Sequence, residues 1–428
     1  MHLYVTGFTR CKAWSRTFQL GYDGGPLSCL GNIVAQLALG NIEWLGLHMK
    51  DMGASGPNAT VQKQFGLINL LKAGAAQLIV LHHLAFYGPM ADAARPLMPP
   101  IIDWLDQYGR IAVQAFLVIS GFLAAKSLSP AGLPGIGNPV GTIWRRYIKL
   151  APPFVVAMFL AIGASALART WMVHDSISAP PNMSQLAAHV LLLHSVLGYE
   201  SLSAGAWYVA IDFQLYALIT CLLWLGGRIA GDRPMPWLMP LLVTLGVSIS
   251  LLYFNRDAEF DVWAPYFFGS YGLGILAWWA SDPRRPFVAT FSLLLMMVVP
   301  TVLALELDFR IRIAVASVVA CFLLLYGRAR LSTYASSGWA LINYLGKISY
   351  SIFLVHFPVC LVVNAAFTRF VPDDAYLQGA GVVWAWAASV ASGAVFHNWV
   401  EAPLGRFLAG LAKPAVRTFG TKPVRLRG

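Results

Sequence analysis

Apolar residues run through this chain in long unbroken stretches, and polar or turn-forming residues gather between them. Each stretch is about 20 residues, the length at which a helix crosses a hydrocarbon core of about 30 Å. Backbone groups inside lipid have to satisfy one another, which leaves helices or a closed barrel. The stretches are continuous and do not alternate with period two, so they predict helices. Ten spans are expected, at 66–88, 111–128, 148–168, 207–226, 237–254, 264–280, 287–305, 311–327, 345–367 and 379–400. Connections carry Pro, Gly and charge, as at Asp282-Pro283-Arg284-Arg285-Pro286. Segment 186–198 is apolar but short, and reads as an interfacial helix. The fold class expected is all-α, a polytopic membrane protein.

Composition agrees. Of 428 residues, 58% are hydrophobic and 11% charged, where a soluble domain has about 25% charged. The basic residues decide orientation. Of 30 Lys and Arg, 22 fall in one set of alternating connections and the two termini, 7 fall in the other set, and Lys72 lies inside the first span. The first set is expected in the cytoplasm together with both ends, in a cell membrane and by expectation a bacterial inner membrane. The net charge of +11 is thereby accounted for by topology, and no nucleic-acid partner is expected. Cys11, Cys29, Cys221, Cys321 and Cys360 form no CxxC pair, so neither a structural disulfide nor a cysteine metal site is expected. Residues 1–65 are Gly-rich and only mildly apolar, with no signal-peptide pattern. They read as a cytoplasmic extension or as the product of a start placed too early, with Met49 or Met52 the true one. Residues 66–405 read as the transmembrane domain and 406–428 as a basic cytoplasmic tail.

Chemistry has to come from polar groups within the spans, where they are costly and mark function by default. Lys72 and His83 are eleven residues apart, nearly three full turns, so they share one face about 16 Å apart along the axis. Lys72 falls near the cytoplasmic end and His83 in the outer half. Snorkelling to the interface is the plain account of Lys72, and packing against a neighbouring helix that of His83. Asp212 is placed at about the depth of His83, where a carboxylate needs a partner. It is expected to orient His83 or another intramembrane cation, or to pair with a backbone or tyrosine group. Ser349 and His356 are seven apart on one face, as are Gln114 and Gly121.

Several stretches resemble one family in order. Lys72 with His83, and Gln114-Ala115-Phe116-Leu117-Val118-Ile119-Ser120-Gly121-Phe122, are similar to the first two helices of the acyltransferase family 3 of membrane proteins. Arg145-Arg146-Tyr147-Ile148-Lys149 resembles its Arg-Arg-x-x-Arg entry to the third helix. Trp207-Tyr208-Val209-Ala210-Ile211-Asp212 resembles its Trp-x-Leu-x-x-Glu segment. Gly346-Lys347-Ile348-Ser349-Tyr350, running on to His356, and Glu401-Ala402-Pro403 resemble its late helix and its closing Glu-x-Pro. The resemblance covers about 66–405. Asn69 stands where the family usually has Asp, Lys72 for Arg, Gln114 for Asp and Asp212 for Glu.

The resemblance implies an integral membrane O-acyltransferase. An acyl group, most commonly acetyl, would pass from cytoplasmic acyl-CoA to a hydroxyl of an acceptor, commonly a glycan, outside the membrane or associated with it. His83 is then the base, a role imidazole suits near neutral pH, with Asp212 as its catalytic support. Lys72, Arg145 and Arg146 would hold the donor, guanidinium groups matching phosphate; topology alone is the other account of the two arginines. Asn69, Gln114, Ser120, Trp207, Ser349 and His356 would line or support the channel, although Trp207 and Tyr208 also read as aromatic-belt anchors. Glu401 and Pro403 read as a helix terminus. No metal and no cofactor beyond the co-substrate acyl-CoA is implied. The rival is a secondary transporter or exporter of a small or acylated molecule, which would more often show internal repeats or paired broken helices. No Gly-x-Ser-x-Gly elbow supports a serine hydrolase.

Orientation is testable at once. In a cysteine-free background, an impermeant thiol reagent added outside should label a cysteine placed at Ser178 and spare one placed at Ser332. The reverse pattern overturns the orientation.

Overall fold

The computed structural model describes the backbone of residues 57–329 and 337–411. The chain divides into two units, Met1–Gln62 and Lys63–Gly428, and all described side chains belong to the second. Most of the proposed extension 1–65, most of the tail 406–428, and Cys11, Cys29, Met49 and Met52 lie outside the described residues.

Fourteen α-helices follow in order: α1 (Pro57–Tyr87), α2 (Pro89–Ala94), α3 (Pro99–Tyr108), α4 (Ala112–Leu128), α5 (Pro139–Trp171), α6 (Met183–Val190) and α7 (Ala206–Ala230), then α8 (Leu238–Leu252), α9 (Ala264–Ala280), α10 (Phe287–Leu307), α11 (Ile311–Ala329), α12 (Ser337–Phe370), α13 (Ala375–Phe396) and, after a π turn at His397–Glu401, α14 (Ala402–Leu411). No strand occurs among the described residues. Among the described residues, nine helical segments are long and apolar enough to cross a membrane. The one expected span not among them, 264–280, is α9, which has only 17 residues and is buried on nearly every side. Segment 186–198 is no span: α6 ends at Val190 and turns follow it.

Local chemistry sets the ends. Pro139 opens α5, with Asn138 accepting from Gly141 N–H. Asn182 caps α6 and Asp374 caps α13 in the same manner. Helices α5 and α12 begin well before their apolar runs, because a backbone ladder continues through Trp144-Arg145-Arg146 whether or not lipid surrounds it. Pro152 and Pro153 interrupt that ladder within α5, and the Tyr350 hydroxyl donates to Leu150 C=O beside them.

Two groups of helices result. Helix α9 is the hub of one and packs against α4, α8, α11, α10 and α7. Helix α12 is the hub of the other and packs against α13 and α5, with α5 touching α7. Close approach at the first hub depends on Gly121 and Gly274. A methyl on Gly121 would run into the Tyr271 carbonyl, and one on Gly274 into the Val118 carbonyl. Gly205, at the start of α7, likewise faces the Phe353 ring of α12 at closest approach.

Gly121→Ala should therefore force α4 and α9 apart and cost about 1–3 kcal/mol, the usual overpacking penalty. Gly163→Ala, whose new methyl meets nothing within 4 Å, should be neutral or slightly stabilising. Thermal unfolding in detergent gives the comparison, and equal midpoints for the two variants would contradict the contact.

Candidate functional site

The polar centre of the molecule is a pair of histidines. His83 Nδ1 lies 2.7 Å from His356 Nε2, and the ring planes are 6° apart. His83 is 7% exposed and His356 is fully buried. His356 Nδ1 lies 2.8 Å from the Phe353 carbonyl. A carbonyl only accepts, so His356 Nδ1 carries the proton and its Nε2 is an acceptor. His83 then donates through Nδ1, which leaves its lone pair on Nε2. His356 lies near the middle of the Trp339–Phe370 crossing segment. His83, bonded to it, lies four residues from the end of its own crossing segment, Gly66–Tyr87. Helix α1 stops at Gly88-Pro89 alongside α12: Met90 N–H reaches Asn364 Oδ1, and α12 runs on to Phe370.

The His82 ring lies 5.1 Å from that of His83 but bonds elsewhere. Its Nδ1 bonds the Leu105 carbonyl at 2.8 Å, and its Cβ packs against Gly109.

Asp212 does not orient His83. Its Oδ2 takes the Arg146 guanidinium at 2.5 Å, so its partner is the other cation considered. Arg146 in turn does not stand free beside Arg145: its guanidinium turns inward and its charge is met by Asp212. The Tyr216 ring lies 5.1 Å from that guanidinium, and Tyr271 also interacts with it electrostatically. Tyr208, one turn from Asp212, meets the Ser120 hydroxyl at 3.5 Å. Arg146 Nε and Asp212 Oδ1 have no protein partner among the described residues, so the cluster can bind one further polar group.

Arg145, next to Arg146 on α5, is exposed and donates to Thr142. Lys149, one turn on, is also exposed and interacts electrostatically with Lys72. Lys72 is only partly exposed. Asn69 Nδ2 donates to Asn343 Oδ1, at the point where α1 crosses α12 over Gly346. Ser349 does not line a channel: it is 1% exposed and its hydroxyl is used on Gly346 C=O of its own helix. Gln114 is buried and accepts from Ser270 at 2.6 Å. Trp207 and Tyr208 are not belt anchors. Tyr208 is 8% exposed, and half-buried Trp207 packs on Phe267 with the Arg110 guanidinium 5.4 Å from its ring. Near Arg110, in the loop before α9, burial pushes the Asp261 carboxyl up, opposed by Arg110 and Arg312.

Two groups escaped the sequence reading. Lys149 counted toward topology and the third-helix motif and was given no place in the site, although its i+4 relation to Arg145 puts both on one face. Glu401 read as a helix terminus, yet it sits in a π turn bonded to Ser351 and His397. Pro403 after it was the available signal, since a proline disturbs the carbonyl four residues earlier.

Comparison with known proteins follows the same outline. The family described as an acyltransferase domain matches residues 66–397, most of the chain. A curated relative, "Regulator of hypoxia-inducible factor 1" of Caenorhabditis elegans, is 27% identical over 161 residues, a stretch that makes up 35% of this chain and 32% of that protein. The chain thus spans about a third of that relative's length. No solved structure matches.

Asp212→Leu should strand the Arg146 charge among the tyrosines and cost about 3–5 kcal/mol, the penalty for breaking a buried pair. Arg146→Leu with Asp212→Leu should recover much of that loss, because no charge is left unpaired. Unfolding of the purified variants in detergent measures both, and a double variant as unstable as the single one would count against the pairing.

Proposed function

The chain belongs to the acyltransferase domain family, a group of multi-pass membrane acyltransferases, and from that membership we propose that it moves an acyl group from cytoplasmic acyl-CoA to a hydroxyl acceptor, with His83 as the base. The observation that carries the proposal is the His83–His356 hydrogen bond. It leaves a lone pair on His83 Nε2, held in place by a second ring that is itself tied to a backbone carbonyl.

The chemistry follows from that arrangement. The acceptor hydroxyl attacks the thioester carbonyl as His83 Nε2 takes its proton. The tetrahedral intermediate collapses, the carbon–sulfur bond breaks, and the same Nε2–H returns the proton to sulfur, giving ester and CoA thiol. His356 relays no proton, because its far nitrogen faces the Phe353 carbonyl, which has no proton to exchange. Its role is to fix the tautomer and direction of His83.

The cations are arranged for a donor entering from the basic side. Lys72, Arg145 and, added by its position, Lys149 would meet the phosphates, while Arg146 is committed to Asp212. The acceptor, a glycan by the family resemblance, would come from the side of Arg110 and Trp207. Both chain ends would then lie in the cytoplasm. A transporter is not favoured: a tautomer-locked histidine pair serves proton transfer, and flux alone gives it no task.

Purified protein with labelled acetyl-CoA and a hydroxyl acceptor tests the reading. His83→Ala should lower kcat by about 10²–10⁴, the usual worth of a general base, and His82→Ala should retain activity. His356→Leu should lower kcat with little change in donor KM, and His356→Gln, whose amide oxygen can accept from Nδ1–H, should recover part of it. Equal losses from His82→Ala and His83→Ala, or substrate flux without ester formation, would overturn the assignment.

A further inference from the structure

The π turn at His397–Glu401 is the least expected piece of backbone in the molecule. π turns are rare and are found inside helices at functional sites. Pro403 lacks an N–H for the carbonyl of Trp399 and crowds it, and the widened turn absorbs the conflict. It also aims Glu401 inward. The Ser351 hydroxyl donates to Glu401 Oε2 at 2.5 Å, and His397 Nδ1 lies 2.9 Å from the same oxygen. Ser351 is fully buried and His397 is 6% exposed, so this carboxylate is pinned on one oxygen from two sides.

Two helix contacts set its level. Helix α1 meets α12 at Asn69 and Gly346, and α13 meets α12 at Gly393 and Ile352. Lys72 lies about one turn above Asn69, and Ser351 little more than one turn above Gly346. The pinned carboxylate is therefore brought to the height of the Lys72 ammonium, and the two interact electrostatically. They do not touch: Lys72 makes no hydrogen bond and no ion pair within 4 Å among the described residues. Its other charged neighbour is Lys149, which repels it. Tyr350, on α12, is the remaining titratable group within the field of Glu401.

The geometry points to Glu401 as a positioning residue for the donor site: anchored by Ser351 and His397, its carboxylate stands near Lys72 and balances its charge without occupying it, so that an anionic group of the donor completes the pair. This inference rests on the acyl-CoA reading above. Two cations and no anion would leave Lys72, in a medium of low dielectric, with only repulsion from Lys149. A carboxylate in contact would take up the ammonium's donors, as Asp212 does with Arg146. A carboxylate held back by two anchors balances the charge and leaves the ammonium's hydrogens for phosphate.

Donor titrations on the purified full-length protein test this, with binding of a non-hydrolysable acyl-CoA thioether as a second readout that needs no turnover. Glu401→Gln should raise donor KM and weaken thioether binding by roughly tenfold or more, about what one charge-assisted contact is worth, with kcat much less affected. Lys72→Arg in the Glu401→Gln background should restore donor KM, because guanidinium stays charged without help. His397→Gln and Ser351→Ala, which loosen the carboxylate but keep it, should give smaller rises. A purely structural role would lower kcat and stability with no rescue by arginine. Unchanged or tighter donor binding in Glu401→Gln, the result expected if the carboxylate only repels phosphate, would overturn the inference. Wild-type protein that neither binds the thioether nor transfers from acyl-CoA would instead overturn the donor reading itself.

Discussion

A polar group inside hydrocarbon has to find a partner within the protein, because no water is there to take its place. That constraint orders this structure. His83 is bonded to His356, His356 to the Phe353 carbonyl, Arg146 to Asp212, and Gln114 to Ser270. All but the His356–Phe353 bond, which lies within α12, tie together helices far apart in sequence. The same bonds that hold the bundle together thus set the direction of every group able to do chemistry. In His83 the constraint works furthest: its neighbour consumes one nitrogen, and the other is left as a base.

A division of labour follows between buried and exposed cations. Arg146 is paid for by Asp212 and enclosed by tyrosines, so it stabilises the contact of α5 with α7 and contributes little free charge. Arg145 and Lys149 remain exposed on the same helix, and Lys72 is partly exposed across from them. Two adjacent arginines, identical in composition, therefore do different work because the helix turns them about 100° apart. The glycine contacts at Gly121, Gly274 and Gly205 serve the same end by letting α4, α9, α7 and α12 come close enough for these polar partners to meet.

Much of the fold was legible in the sequence, since hydrophobic runs of membrane length have few alternatives. Span 264–280 shows where that reasoning thins. Its helix is short because it lies inside the bundle among other helices, and no lipid dictates its length. Candidate residues for a site could be named from spacing and family resemblance, but their partners could not. Periodicity places Asp212, His83 and Arg146 on faces of their own helices and says nothing about which helices are neighbours, so Asp212 could be assigned to the wrong cation. Glu401 was missed because a π turn has no periodic signature.

The central claim is that His83 is held as one neutral tautomer, protonated on Nδ1 and open on Nε2. Nitrogen-15 spectra of protein labelled at histidine, compared with the same spectra of His83→Gln to assign the signals, test it directly. The account predicts that His83 Nδ1 is protonated and coupled across its hydrogen bond to His356 Nε2, while His83 Nε2 resonates as an unprotonated ring nitrogen. A proton resident on His83 Nε2, or a His83 signal indifferent to His356→Gln, would contradict it.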